Sequence, residues 1–133
     1  TNCKLEFRQS NHEGEIVTWI QEASDIEVLI LNAGAYTHTS IAIHDALKSF
    51  NGLIVELHIS NPHRREPFRR QSFIKSIASS ACLGLGPDGV LFGLHPHIEA
   101  ANPQIRHHIG RPAPINAGDI EGHVRALTIE KVE

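Results

Sequence analysis

Val28-Leu29-Ile30-Leu31 is an unbroken apolar run. A strand with one wet face alternates polar and apolar residues. A run without polar residues marks burial on both faces, as in a parallel sheet covered by helices. The pattern predicts a strand over 27–31. A second apolar run spans Leu53 to Leu57, and its end, Glu56-Leu57-His58-Ile59-Ser60, turns to alternation. Upstream, Lys4 to Gln9 alternates, with Leu5 and Phe7 opposite Lys4, Glu6 and Arg8, which predicts a short half-buried strand. Ser10 with Glu13 three residues on has the form of a capping box. It opens a helix whose apolar stripe is Ile16, Val17, Ile20 and Ala23, with Trp19 at the stripe's edge. Ile43, Ala46, Leu47 and Phe50 recur at i, i+3, i+4 and i+7, a second helix, closed by Asn51-Gly52 in the left-handed conformation. A short helix over 72–81, a strand over 81–85, a turn at 86–89 and a helix over 90–94 complete the series.

Strands alternating with helices through residues 4–94 predict an α/β fold, a parallel sheet joined by right-handed crossovers. The chain has 133 residues, the size of one domain. Residues 1–94 form the α/β unit. Residues 95–133 differ in kind, carrying Pro96, Pro103, Pro112 and Pro114, five histidines and few core residues before Val124 to Val132; they are expected to be an extension or an oligomer-contact arm. A net charge of −3 argues against nucleic acid or an anionic membrane as partner. No run of 18 apolar residues is present to span a bilayer. Two cysteines, Cys3 and Cys82, are too few for a disulfide scaffold and fit a reducing, cytoplasmic compartment. There is no methionine and the chain opens Thr1-Asn2-Cys3, so further residues are expected before Thr1.

Ligands of such sheets sit beyond the C-terminal strand ends, and polar constellations fall there. Glu56 and His58, spaced i, i+2 on a strand, share a face. A carboxylate beside an imidazole orients it, which suits His58 to general-acid work; a structural hydrogen-bonded pair is the plainer alternative. Where the strand ends, Ile59 and Ser60 offer backbone N–H groups for a carboxylate, or only a turn. Asn32, Thr37, His38, Thr39 and Ser40 form a dense hydrogen-bonding loop before a helix N-terminus, suited to a hydroxylated anion, although capping needs only one hydroxyl. Arg64, Arg65, Arg69 and Arg70 suit carboxylates and hydroxyls, or form a solvated basic stretch. Gly84-Leu85-Gly86-Pro87-Asp88-Gly89 fits a dinucleotide fingerprint literally, but it follows a late strand and lacks the βαβ context, so it reads as a turn. His95-x-His97 and His107-His108 match no zinc spacing, so no metal is expected.

FRQSNHEGEI at 7–16, NAGAYTHTS at 32–40, ELHISNPHRREPFRRQS at 56–72 and GLGPDG at 84–89 together resemble type II 3-dehydroquinate dehydratases, collinearly over about residues 4–94. The resemblance implies a flavodoxin-like fold and a dodecamer built from trimers. It implies anti elimination of water from 3-dehydroquinate to 3-dehydroshikimate through an enolate, without metal or cofactor, in shikimate biosynthesis or quinate breakdown. By position, Glu56 would orient His58, and His58 would protonate the departing hydroxyl. Ile59 and Ser60 would hold the carboxylate with Asn32 beside them, His38 and Arg69 the ring hydroxyls. Arg65 would belong to the arginine set near the base, and Asp45 would reach an adjacent subunit's site.

This sequence departs from the family in two places. The family opens with a strand and a glycine-rich segment carrying an Asn, an Arg and the Tyr that, as phenolate, removes the C2 proton; no such segment is matched. Tyr36 is the only tyrosine and lies in the His38 loop. His44 replaces the basic residue expected before Asp45. The family's first strand is central, between the strands at Lys4 and Val28. Its place would be filled by residues preceding Thr1, by a separate chain, or by the strand-like run Val124 to Val132. The missing Met favours the first. A homologue that keeps the pocket without the base, and a flavodoxin-like nucleotide binder, are the competing functional readings.

Overall fold

The computed structural model describes residues 2–89 and 123–131. The elements, in chain order, are β1 (Asn2–Ser10), α1 (Glu13–Glu22), β2 (Val28–Asn32), α2 (Ile41–Lys48), β3 (Leu53–His58), β4 (Ser80–Leu83) and β5 (His123–Lys131). Single 3-10 turns lie at Gly34–His38, Pro62–Arg64, Pro67–Arg70 and Gly86–Asp88. The five strands form one sheet in the order β1-β5-β2-β3-β4, with every neighbouring pair parallel. This is the doubly wound 2-1-3-4-5 layout, except that the strand in second place comes from the C-terminal end of the chain. His123–Lys131, within the tail set apart on composition, thus supplies the strand between β1 and β2. Its register pairs Leu5 with Ala126 and Phe7 with Thr128 on one side, and Val28 with Ala126 and Asn32 with Glu130 on the other.

Both faces of the central strands are buried, as the apolar run in β2 requires. One face carries Leu29, Leu31, Ile54, Leu127 and Ile129, which pack against Ile16 and Ile20 of α1 and Ile43 and Leu47 of α2. The other carries Val28, Ile30, Val55, Leu57 and Ala126. Each large aliphatic side chain so buried contributes roughly 1.5–3 kcal/mol. Ser40 caps α2, its hydroxyl accepting from the Ile43 N–H at 2.9 Å.

Several local expectations are corrected. The α1 cap is not a Ser10/Glu13 box. Ser10 accepts from the His12 N–H and donates to Glu15, while the capping position is His12 with no side-chain bond. Leu5 and Phe7 do not face the helices: register puts them on the Ala126 side, 47% and 55% exposed. Glu6 and Arg8 turn toward α1 instead, where Arg8 pairs with Glu6 and stands 5.7 Å from the Trp19 ring centroid. α2 ends at Lys48 with no left-handed residue at 51–52. Gly52 is required by close approach, since a Cβ there would fall 2.5 Å from the Glu27 carbonyl. Residues 72–79 are turns rather than a helix. The Ser72 hydroxyl accepts from the N–H groups of Ile74 and Lys75, and the backbone bonds outward, Phe73 N–H to Thr37 and Ser79 N–H to Ile54. Within the segment the N–H groups of Ile77 and Ala78 both bond to the Ile74 carbonyl, so a single turn forms and goes no further. The strand expected over 81–85 runs Ser80–Leu83. The helix expected over 90–94 and the histidine pairs at 95–97 and 107–108 lie outside the described residues.

Candidate active site

At the C-terminal ends of β2, β3 and β5 lies a cavity of about 420 Å³. Asn32, His38, His58, Ile59, Ser60, Arg65 and Arg69 all line it. Seven of the nine site residues read from the sequence therefore meet in one place. Glu56 lies beneath it, lining a smaller 40 Å³ recess shared with His38, His58 and Arg69. Asp45 is exposed on α2 and lines neither space. A 490 Å³ cavity at the other end of the strands, among Ile20, Phe50, Gly52 and Leu53, contains no histidine, lysine or arginine. The chemistry is concentrated at the smaller opening.

The base of the site is a buried hydrogen-bond chain. Strand periodicity puts Ile54, Glu56 and His58 on the helix-covered face. Glu56 and His58 are 3% and 8% exposed. The Ser72 hydroxyl donates to Glu56 Oε1 at 2.6 Å, and the same oxygen accepts from His58 Nε2–H at 2.9 Å. Burial by itself would raise the Glu56 pKa. The hydrogen bonds from His58 and Ser72 and the charges of His58 and Lys75 outweigh it and hold the carboxyl below its ordinary range. An ionised carboxylate only accepts, so His58 carries its proton on Nε2 and has Nδ1 left for a ligand.

His38 stands against this pair, its ring stacked with that of His58 at 6.3 Å between centroids and 18° between planes. Its Nδ1 lies 2.6 Å from the Gln71 carbonyl. A carbonyl can only accept, so Nδ1 bears the proton and Nε2 is left for another partner. The 3-10 turn Gly34–His38 places the ring, and it starts on Gly34 at φ +54°, a conformation that favours glycine. Asn32 Oδ1 accepts from the Gly34 N–H at 3.2 Å, which ties the end of β2 to that turn.

The arginines stand on the 3-10 turns beyond β3. Arg69 Nε donates to Glu66 at 2.7 Å, and Arg65 Nε lies 3.6 Å from the same carboxylate. Glu66 is held below its ordinary range by a backbone hydrogen bond and by Arg69. Two guanidinium groups share one carboxylate, so the rim stays positive. The last ladder pair of β3 and β4 is His58 with Leu83; beyond it Ile59 and Ser60 turn along the rim. The hydroxyl of Tyr36 donates to the Asn11 carbonyl at 2.8 Å, and Tyr36 is not among the residues lining the cavity. GLGPDG forms a turn with positive φ at Gly84 and Gly86.

Two residues escaped the sequence reading. Ser72 ends a quoted motif, yet nothing in one dimension pairs it with Glu56. Lys131 lines the cavity as the last residue of β5, and only the placement of that strand brings it there.

The arrangement is that of an imidazole held by a carboxylate, hydrogen-bonding groups and cations around a small polar space. Comparison with known proteins gives the same direction. The family model described as Dehydroquinase class II matches residues 1–98. The 3-dehydroquinate dehydratases of Brucella canis and Brucella suis are each 49% identical over 92 residues, covering 68% of this chain and 59% of theirs. Among solved structures, the type II dehydroquinase of Butyrivibrio crossotus aligns with TM-score 0.66 and 40% identity, covering 68% of this chain and 64% of that one. The type II dehydroquinase of Propionibacterium acnes aligns with TM-score 0.60 and 34% identity, over 63% and 62% of the two chains. The matched stretch thus spans less than two thirds of the length of these relatives.

Proposed function

The chain belongs to the class II dehydroquinase family, and on that premise we propose that it dehydrates 3-dehydroquinate to 3-dehydroshikimate. The observation that carries the reading is the buried Ser72–Glu56–His58 chain at the floor of a cation-rimmed cavity. In this reaction a base takes the C2 proton and the electron pair becomes an enolate. The enolate then expels the C1 hydroxyl, which leaves as water once protonated. With both ring nitrogens protonated, His58 supplies that proton from Nδ1, while Glu56 holds Nε2–H and fixes the ring. General acid catalysis of this kind is worth roughly 10²–10⁴ in rate. The N–H groups of Ile59 and Ser60, with Asn32, hold the substrate carboxylate, His38 Nε2 and Arg69 hold ring hydroxyls, and Arg65 supports them. Asp45, exposed on α2, serves a neighbouring subunit in a trimer-built dodecamer. Residues 1–94 carry this unit, and the tail contributes β5.

A second reading, a homologue that binds the hydroxy acid without turning it over, is favoured by the Tyr36 hydroxyl, which is committed to Asn11. The two readings separate in two measurements on the full chain with 3-dehydroquinate, the ultraviolet absorbance of the conjugated product and calorimetric binding. Turnover supports the dehydratase. Calorimetric binding without turnover supports the second reading, and neither binding nor turnover refutes both.

A further inference from the structure

The cavity is completed by a residue from outside the stretch that matches the family. β5 runs parallel between β1 and β2, and its register sets Glu130 beside Asn32 and Lys131 beside Ser10. Lys131 is two residues beyond Ile129 and shares its face, the face that also carries Glu56 and His58. It enters the loop region where Asn32, Gly34 and His38 stand. The side chain has a formed seat there. A Cβ built on Gly34 would lie 3.1 Å from Lys131 Cδ and 3.4 Å from its Cβ, so the aliphatic stem runs along this glycine. The ammonium lies 5.4 Å from the centroid of the Tyr36 ring, within the range of a cation–π contact. The stem is thereby packed and the charge held at the edge of the space that His58, Arg65 and Arg69 line.

Among the described residues, the charged side chains lining this cavity are all cations, Arg65, Arg69 and Lys131. The arginines are partly answered by Glu66, which pairs with both. A polar space with such a rim concentrates anions, and an ammonium beside a carboxylate forms a charge-assisted bond about twice as strong as a neutral one.

We propose that Lys131 is a ligand-binding residue of this cavity, pairing with the carboxylate of the small hydroxy acid bound there. The proposal rests on the functional reading above. It assigns to the C-terminal strand two roles at once, filling the sheet and placing a cation at the site. Its loss removes a charge the ligand meets in the ground state, so it acts on affinity before it acts on the chemical step.

The test uses the full chain, its Lys131→Met and Lys131→Arg variants, and quinate, a polyhydroxylated carboxylate that has no ketone and cannot undergo the elimination. Methionine keeps an unbranched stem against Gly34 and drops the charge; arginine keeps the charge. Calorimetric titration should show quinate binding to Lys131→Met about 10- to 100-fold more weakly and with a shallower dependence on salt. Lys131→Arg should stay close to the parent, and all three melting temperatures should agree. Equal affinity in parent and Lys131→Met overturns the assignment of Lys131 and leaves the dehydratase reading intact. Weakened binding with a lowered melting temperature in both variants marks a structural role and also overturns it. A parent chain that binds no quinate and no 3-dehydroquinate overturns the assignment and the functional reading together.

Discussion

Thr128→Val and Ile129→Ala alter neighbouring residues of β5 and should move stability in opposite directions. Both residues are fully buried, on opposite faces of the sheet. The Thr128 hydroxyl has no hydrogen-bond partner among the described residues. Leaving a hydroxyl buried and unpaired costs about 1–3 kcal/mol. Valine keeps the β-branch and the strand preference and removes the hydroxyl. Thr128→Val should therefore stabilise by about 1 kcal/mol, which for a domain of this size raises Tm by roughly 4 °C. Ile129 packs in the cluster that includes Leu31, Leu127 and Ile43. Truncation there removes the transfer energy of the lost carbons and leaves a cavity, about 2–5 kcal/mol. Against a total stability of about 5–15 kcal/mol, that lowers Tm by roughly 10 °C or more. Thermal and urea unfolding followed by circular dichroism reads both. A C-terminal segment lying outside the sheet would leave both sites in solvent, and each change would stay within about 0.5 kcal/mol. Two unshifted melts would refute the placement of β5 between β1 and β2. A destabilising Thr128→Val would refute the unpaired hydroxyl.

Glu56 also makes stability depend on pH. Its folded pKa lies below the unfolded value, so the ionised form stabilises the fold above the ordinary carboxylate range, and that stability fades as pH falls through the depressed folded value. The urea midpoint should drop on the acid side for the parent and drop less for Glu56→Gln; identical acid limbs would contradict the buried, paired carboxylate. Ser40→Ala removes the α2 cap and should cost about 1 kcal/mol in the same unfolding assay, whereas an unchanged midpoint would show the cap to be idle.

Much of the fold was legible because its signals are local. The apolar runs of β2 and β3, the stripe of α1 and the i, i+3, i+4 spacing of α2 each lie within one element and report its burial directly. Alternation in β1 gave its period but not which side faces the helices. Arg8 can lie over Trp19 and pair with Glu6, so the polar residues turned inward and Leu5 and Phe7 outward. A helix was expected over 72–81, but the flanking N–H groups of Phe73 and Ser79 are taken by Thr37 and Ile54, partners distant in sequence that no local pattern reveals. β5 was the hardest to place, since a strand's slot is set by pairing across more than 90 residues of chain and no local pattern encodes that. The site divides the same way. Glu56 and His58 were readable from i, i+2 spacing on one strand, and His38 and the arginines from residue types in loops at strand ends. Ser72 and Lys131 reach the site only through tertiary contacts, and so carried no signal.

The central claim is that His58, oriented by Glu56, protonates the departing hydroxyl. The most direct measurement is kcat for 3-dehydroquinate in the full chain and in His58→Ala, with calorimetric binding and melting temperature recorded on the same preparations. The account predicts that His58→Ala keeps its fold and binds the hydroxy acid while kcat falls by about 10²–10⁴. A parent that turns substrate over and a His58→Ala variant with near-normal kcat would contradict it.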